Sequence, residues 1–227
     1  MTPKKNYLLV GNSRLHWAEK INQDLKFSHS LLSDELPRTI NFNNLIWASV
    51  GHYPTVFLNK RNEIKTHDLN MHKIPTHFGV DRALACFAAF NHIENVLNKN
   101  IVIADFGTTL SITKINQKGN VIGGLLIPGF MTQLKSLEQN TRNLEIPNDL
   151  SIPEENFLLS TERAMVKGVY KSLEGAIHSS YNEDKDILVF CGGDADLIGK
   201  KIKEKINNVI IEPNLAMIGM ILFNELT

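Results

Sequence analysis

Short apolar runs separated by turn residues characterise the first half of the chain. Residues 7–10 and 15–21 form two such runs on either side of a Gly-Asn-Ser sequence, which predicts two strands joined by a tight turn. Residues 43–50 predict a third strand. Directly after Gly79, apolar residues recur every three or four positions, so we expect an amphipathic helix to open there.

The second half repeats this alternation of strands, turns and helices. A short basic helix is expected before the last strand, and a terminal helix begins at Asn214. The other predicted helices cover residues 130–137 and 161–177. The predicted strands cover residues 101–104, 110–115, 121–127, 187–190 and 209–211.

The two halves carry similar turns at equivalent positions in their predicted strand order. Residues 9–13 and residues 105–109 each close an apolar strand and lead into a second strand, which indicates internal duplication. We therefore predict an α/β protein with two sheet-and-helix halves, residues 1–99 and residues 100–227. Small-ligand sites form preferentially between domains, so we expect a ligand cleft between these halves.

Composition and charge exclude several classes of protein. The chain has 227 residues, of which 43% are hydrophobic and 21% are charged, a balance typical of a soluble globular protein. The 24 basic and 24 acidic residues cancel, so the sequence predicts no basic surface for nucleic acid. Cys86 and Cys191 lack the spacing of a zinc site or a disulfide framework. With neither a signal-peptide core nor a membrane-length apolar run, we expect a cytoplasmic protein.

The two similar turns carry groups suited to phosphate. Gly11-Asn12-Ser13 and Gly107-Thr108-Thr109 could each present backbone N–H groups and side-chain polar groups to phosphate oxygens. Each turn alone is also compatible with an ordinary hairpin, and their paired occurrence favours the phosphate interpretation. Asp105, where a buried strand meets its turn, is a candidate cation ligand, although it could instead cap that turn.

Two further positions allow a structural and a functional interpretation. Asp81 could cap its helix, or it could accept the proton of an attacking alcohol while Arg82 binds an anionic substrate. Gly192 and Gly193 could admit a ribose or a flat ring, but a tight strand-to-helix connection explains them equally well. The eight histidines show no metal-ligand spacing.

The order of these motifs resembles the type III pantothenate kinase pattern over nearly the whole chain. The resemblance implies the fold of the acetate and sugar kinase, Hsp70 and actin superfamily, with two ribonuclease H-like halves and usually a homodimer. The motifs are Gly11-Asn12-Ser13, Pro75-Thr76-His77-Phe78-Gly79-Val80-Asp81-Arg82, Asp105-Phe106-Gly107-Thr108-Thr109, the glycine-flanked segment 123–129, the segment 161–168, Gly192-Gly193-Asp194-Ala195 and Pro213-Asn214-Leu215.

The resemblance also implies roles for individual residues. Asp81 matches the proton acceptor, and Thr161 matches a further contact to pantothenate. Asp105 matches a ligand of a monovalent cation, K⁺ or NH₄⁺, and Thr108 matches an ATP contact. The pantothenate-binding segment corresponds to Gly79, Val80, Asp81 and Arg82, and the first ATP-binding turn corresponds to Leu9, Val10, Gly11, Asn12, Ser13, Arg14, Leu15 and His16.

The first turn departs from the family pattern. Its usual form is Asp-x-Gly-Asn-Thr, and this chain has Leu9 where the acid stands, which changes the expected magnesium arrangement. His72 occupies the position at which many members carry a substrate-contacting Tyr.

The resemblance implies an ATP-dependent transfer of the γ-phosphoryl group to the terminal hydroxyl of pantothenate, with Mg²⁺ as the divalent cation. We expect the phosphates at the two glycine turns and the nucleoside near Gly192 and Gly193. Two alternatives remain: a kinase of the same superfamily acting on another small alcohol or acid, and a non-catalytic regulatory or accessory homologue. The missing acid at Leu9 favours the second alternative, whereas the retained Asp81, Arg82 and Asp105 argue against it.

Overall fold

The computed structural model describes residues 4–34, 42–51, 60–69, 71, 74–75, 77–93 and 99–227. Its strands are β1 (Lys5–Val10), β2 (Arg14–Ile21), β3 (Asp24–Leu31), β4 (Ile46–Ser49), β5 (Asn100–Phe106), β6 (Thr109–Ile115), β7 (Val121–Pro128), β8 (Asp186–Cys191) and β9 (Val209–Ile211). Its helices are α1 (Val80–His92), α2 (Phe130–Asn140), α3 (Thr161–Ser180), α4 (Lys200–Lys203) and α5 (Leu215–Leu226).

The chain forms two compact units. The first contains Met1–Glu94, Gly119–Val121 and Asn214–Thr227, and the second contains Asn95–Lys118 and Ile122–Pro213. The division into residues 1–99 and 100–227 stays a prediction as a statement about domains. In the structure the terminal helix belongs to the first unit, because α5 packs along α1.

The first unit is built on a four-stranded sheet in the order β3-β2-β1-β4. Strand β1 pairs antiparallel with β2 and parallel with β4, so it lies inside the sheet with a strand on each side. Its alternate residues enter two different apolar clusters, Tyr7 and Leu9 on one face and Leu8 and Val10 on the other. Both faces of β1 are therefore buried.

Strand β3 was not predicted from the sequence. Most of its residues are exposed, so it lacks the alternation of buried and exposed side chains that identifies a half-buried strand. It is held by its backbone ladder with β2, which runs from Arg14 opposite Leu31 to Ile21 opposite Asp24. Asn22 in the connecting turn has a φ of 58°, a left-handed conformation that Asn tolerates better than most residues.

The second unit has a five-stranded sheet in the order β7-β6-β5-β8-β9. Strand β5 pairs antiparallel with β6 and parallel with β8, the same relation that β1 has to β2 and β4. The predicted duplication is therefore visible in the strand order of the two sheets. The core packs one face of this sheet against α3, and its largest fully buried side chains are Phe106, Tyr170, Phe130 and Phe190.

A buried ionic network lies on α3. Glu174 accepts hydrogen bonds from Tyr170 Oη at 2.9 Å, Lys171 Nζ at 2.6 Å and Lys205 Nζ at 2.7 Å. Burial by itself would raise the pKa of Glu174, but these donors outweigh it and hold that pKa at about 2. The carboxylate thus joins α3 to the segment that follows α4.

Within the described residues no helix is both long enough and apolar enough to cross a membrane.

Helices α1 and α5 approach each other closely at one glycine. A β-carbon built on Gly219 would overlap the main-chain carbonyl oxygen of Leu84. Backbone atoms cannot move aside as a flexible side chain can, so this helix pair requires glycine at position 219.

We expect Gly219→Ala to destabilise the protein by about 1–3 kcal/mol, the usual range for overpacking a close contact. Gly123→Ala is the control, because a β-carbon on this exposed glycine of β7 meets nothing within 4 Å. That control should raise stability by roughly 0.5–1 kcal/mol, because glycine within a strand is less favourable than alanine. Denaturant unfolding of both variants checks the prediction, and equal effects would contradict the close packing.

Candidate functional site

The first glycine turn places only some of its predicted residues in reach of a ligand. Gly11 N–H donates to the Arg14 carbonyl at 2.9 Å, which closes the turn between β1 and β2. Residues 12–14 are exposed and Gly11 is partly exposed. The predicted ATP segment also includes buried residues, Leu9, Val10 and Leu15. They pack in apolar clusters beneath the turn and do not face solvent.

Position 9 is a core position. Leu9 is only 4% exposed and packs in the same apolar cluster as Phe78 and Val80. An acid there would enter an apolar environment, at a cost of several kcal/mol unless a cation or donors met it. The departure from the family pattern is therefore matched by packing around the leucine.

A pair of histidines lies on the strands that follow this turn, His16 on β2 and His29 on β3. His16 Nδ1 lies 2.9 Å from His29 Nδ1, and the two residues are directly opposite each other on β2 and β3. Burial, with smaller contributions from His29 and Arg14, lowers the pKa of His16 to about 4. Burial, followed by Arg14, also lowers the pKa of His29. Sequence reasoning missed His29, because its pairing depends on β3.

The predicted proton acceptor, Asp81, and the predicted substrate-binding residue, Arg82, lie at the opening of α1. Gly79 is the N-cap residue and contributes no side-chain cap. Asp81 Oδ1 accepts the Arg82 N–H at 2.7 Å, so the carboxylate folds back toward the mouth of the helix. Burial raises the pKa of Asp81, and the Arg82 amide and guanidinium only partly offset that effect. A raised pKa makes the carboxylate a better proton acceptor.

Arg82 is oriented by an aromatic neighbour. Its guanidinium carbon lies 4.1 Å from the centroid of the Phe78 ring, within the range of a cation–π contact. Thr66 Oγ1 donates to the Phe78 carbonyl at 2.8 Å, which fixes the backbone that carries this ring. The guanidinium is thus held at the mouth of α1 next to Asp81. His72 and Thr76, which the sequence placed in this segment, lie outside the described residues.

In the second unit, Asp105 and Gly192 meet where two parallel strands end. Asp105 on β5 is directly opposite Cys191 on β8, and the chain then turns at Gly192, which has a φ of 88°. A β-carbon at position 192 would overlap Asp105 Oδ1 and lie 2.5 Å from the Phe106 carbonyl oxygen. Both the left-handed backbone and the close approach require glycine here.

Thr108 is fastened to the start of α2. Its carbonyl oxygen accepts the Gly129 N–H at 2.9 Å and the Thr132 hydroxyl at 2.7 Å. A β-carbon on Gly129 would overlap the Gly107 carbonyl, so the second glycine turn lies directly against the helix opening. The sequence motif ending at Gly129 was recognised, but Thr132 was missed because a threonine in a first helical turn is common.

The turn after β8 is joined to the same strand end. Asp194 N–H donates to the Phe106 carbonyl at 3.0 Å, and Gly192 N–H donates to the Pro213 carbonyl at 3.1 Å. Gly193 is exposed, so its backbone is open to an approaching ring or sugar. The structure therefore brings together Asp105, Thr108, Gly192 and Gly193 in one region of the second unit.

Thr161 also lies in that unit, at the start of α3. It lines a groove of about 640 Å³ between α2 and α3. The segment before α3 is held to it by Arg163, which donates to Asp149 at 2.8 Å, and by the buried Lys167, which donates to the Pro153 carbonyl at 2.6 Å. The groove lining combines apolar side chains with the polar groups of Thr132, Gln133, Ser136 and Thr161.

No metal-binding cluster stands out in the part of the chain that the structure describes. There, no three His, Cys, Asp or Glu side chains are grouped as ion ligands. Asp105 offers a single carboxylate beside the Gly107-Thr108 turn, which suits a cation shared with phosphate oxygens better than a site made of protein ligands alone.

Comparison with known proteins identifies relatives of the chain. A family profile described as Type III pantothenate kinase matches residues 37–183. A type III pantothenate kinase of Synechocystis sp. is 28% identical, over 94% of this chain and 87% of the relative.

Solved structures support the predicted fold class. A protein described as a Baf family transcriptional activator from Campylobacter jejuni matches with a TM-score of 0.67 and 19% identity, over 97% of each chain. A protein described as a 2-dehydro-3-deoxygalactonokinase from Sinorhizobium meliloti matches with a TM-score of 0.57 and 11% identity, over 98% of each chain. At these identities the likeness shows the fold alone, and that fold is of the α/β class predicted from the sequence. Because the family profile covers more than half of the sequence, the chain belongs to the type III pantothenate kinase family.

Proposed function

We propose that this chain phosphorylates pantothenate with ATP to form 4′-phosphopantothenate, the first step of coenzyme A biosynthesis. The match to the family over residues 37–183 carries this proposal. It is supported by the position of Asp81 and Arg82 together at the opening of α1. A purely regulatory homologue would have no need to keep all of Asp81, Arg82 and Asp105.

Asp81 is the proton acceptor in the proposed reaction. The terminal hydroxyl oxygen of pantothenate forms a bond to the γ-phosphorus of ATP, and the bond from that phosphorus to the bridging oxygen of ADP breaks. The hydroxyl proton passes to the Asp81 carboxylate. Phosphoryl transfer depends mainly on positioning and charge neutralisation, so the base needs only modest basicity.

Arg82 binds the carboxylate of pantothenate in this proposal, and its stacking on Phe78 supports the role by limiting the positions of the guanidinium. Thr161 provides a further hydroxyl for pantothenate. The nucleotide is bound by the main-chain groups of the Gly107-Thr108 turn and of Gly192 and Gly193. Gly129 and Thr132 hold the first of these turns in place.

Asp81→Asn should fold normally and lose on the order of 10²–10⁴ in kcat, the usual contribution of a positioned general base.

Arg82→Ala should raise the KM of pantothenate by about ten- to a hundredfold and the KM of ATP much less, since a charge-assisted contact contributes roughly 1.5–3 kcal/mol. Coupled assays with ATP, magnesium and pantothenate measure both effects. Asp24→Asn, an exposed acid of the same unit, is the control.

The same assay separates the alternative functions. Turnover of sugars or acetate in preference to pantothenate would favour another kinase of the superfamily. No turnover by the unmodified chain with any of these acceptors would favour the regulatory homologue. Near-normal kcat for Asp81→Asn would remove Asp81 from the mechanism.

Asp105 is proposed to hold a monovalent cation beside the phosphates, with magnesium bound by ATP oxygens and water. Its carboxylate lies against the backbone of Gly192, so it is fixed in position next to the second glycine turn. Replacing Na⁺ by K⁺ or NH₄⁺ should increase the rate, and Asp105→Asn should remove that dependence. Asp184→Asn, an exposed acid in the loop before β8, is the control. A rate indifferent to the cation would count against the role.

A homodimer is proposed through the face around α3. Phe157 and Leu159, just before this helix, are 95% and 107% exposed, and β-carbons on Gly168 and Gly175 of the helix meet nothing within 4 Å. Such an apolar surface with room for close approach suits a second copy of the chain.

A cytoplasmic location is also proposed, because ATP is used there and both cysteines are buried thiols.

Light scattering should give a dimeric mass for the unmodified chain and a monomeric mass for a variant carrying both Phe157→Ser and Leu159→Ser. Leu226→Ser is the matched control, since Leu226 is also exposed but lies at the end of α5. A fully active monomer at assay concentration would reject the dimer.

A further inference from the structure

The two histidines of the first unit form a contact that the reaction described above does not use. His16 lies on β2 just after the Gly11-Asn12-Ser13 turn, and His29 lies opposite it on β3. The 2.9 Å between their Nδ1 atoms is a hydrogen-bonding distance, so one Nδ1 carries the proton and the other accepts it. The rings meet edge to face, with centroids 4.9 Å apart.

The other nitrogen of His16 is directed at the turn. A β-carbon built on Gly11 would lie 3.1 Å from His16 Nε2 and 3.4 Å from Cδ2, so this edge of the imidazole packs against the Gly11 backbone. Gly11 therefore makes room for a ring nitrogen at the place where the sequence indicates phosphate binding. His16 itself is only partly exposed.

The hydrogen bond to His29 determines what that nitrogen can do. If His29 donates, His16 accepts at Nδ1 and carries its own proton on Nε2, which is then a donor facing the turn. If His16 donates, its Nε2 presents a lone pair to the turn, and a phosphate oxygen there would be repelled. Besides burial, the groups that lower the pKa of His16 are His29 and Arg14, and because the pKa of His29 is lowered as well, both imidazoles are neutral at neutral pH.

We propose that His16 donates its Nε2–H to a phosphoryl oxygen of ATP at the Gly11-Asn12-Ser13 turn, and that His29 is the positioning residue that fixes the required tautomer. The inference rests on the proposed function for the identity of the nucleotide. It adds a donor on the side of the site where Leu9 replaces the family's acid. A neutral donor there needs no carboxylate partner, which agrees with the apolar packing around Leu9.

Two substitutions of His16 separate its two nitrogens. In His16→Gln the side-chain amide nitrogen can reach the position of Nε2, whereas in His16→Asn it reaches only the position of Nδ1. We expect His16→Asn to raise the KM of ATP by about ten- to a hundredfold, the loss of one hydrogen bond to a charged group. His16→Gln should recover most of that loss, and the KM of pantothenate should change in neither variant. His67→Asn, an exposed histidine of the same unit, is the control.

Substitution of His29 tests the positioning role. His29→Ala removes the partner of Nδ1 and should raise the KM of ATP by roughly three- to tenfold with little change in kcat. His29→Asn keeps a donor near the Nδ1 position and should restore binding. Thermal unfolding of each variant distinguishes lost binding from lost folding, and an unfolded His16 variant leaves the His29 pair to decide.

Nitrogen NMR of histidine-labelled protein gives a readout independent of turnover. Added magnesium–ATP, without pantothenate, should shift the Nε2 resonance of His16 while Nε2 stays protonated, and His29→Ala should reduce this response. Unchanged ATP affinity in His16→Asn, in a chain that phosphorylates pantothenate, would overturn the inference. If the unmodified chain does not phosphorylate pantothenate, the proposed function fails, and the NMR response to magnesium–ATP alone then decides the inference: no response at His16 overturns it.

Discussion

The close approach of the Gly192 backbone to Asp105 and Phe106 is the constraint on which the second unit depends. Two parallel strands, β5 and β8, end side by side, and the chain must leave β8 in a left-handed conformation directly over the end of β5. The Asp194 N–H then bonds the Phe106 carbonyl and ties the departing turn to the same strand end. Any side chain at position 192 would collide with the Asp105 carboxylate and the Phe106 backbone, so only glycine at 192 leaves Asp105 its place before the Gly107-Thr108 turn.

The duplicated turns have diverged in what surrounds them. At the end of β1, Leu9 faces a cluster that contains Phe78 and Val80, so the environment favours an apolar side chain. At the end of β5, Asp105 faces backbone atoms of the next strand connection. The end of the first strand of each unit therefore holds a core side chain in one unit and a carboxyl group in the other. Similar strand orders do not impose similar chemistry on the turns that end them.

Elements with a strong apolar pattern could be predicted from the sequence, and elements held by backbone pairing alone could not. Helix α1 was predicted to open after Gly79, and it does, because its apolar spacing is regular. Strand β3 was missed because its side chains are mostly exposed, and with it His29 was missed as the partner of His16. Asp81 and Asp105 were predicted as site residues from local motifs, and their roles stay predictions. The contacts that hold the site residues, such as Thr132 with Thr108, join distant segments, and no local pattern reveals them.

The packing of α5 against α1 has a consequence for the order in which the chain can fold. Residues 95–213 are synthesised before α5, yet α5 completes the core that begins with β1 and α1. The strands and helices of the second unit can therefore form while the first unit still exposes the apolar face of α1 around Leu84. During synthesis this apolar face lacks its cover, and a chaperone that binds it would protect the earlier-made part of the molecule until α5 is available.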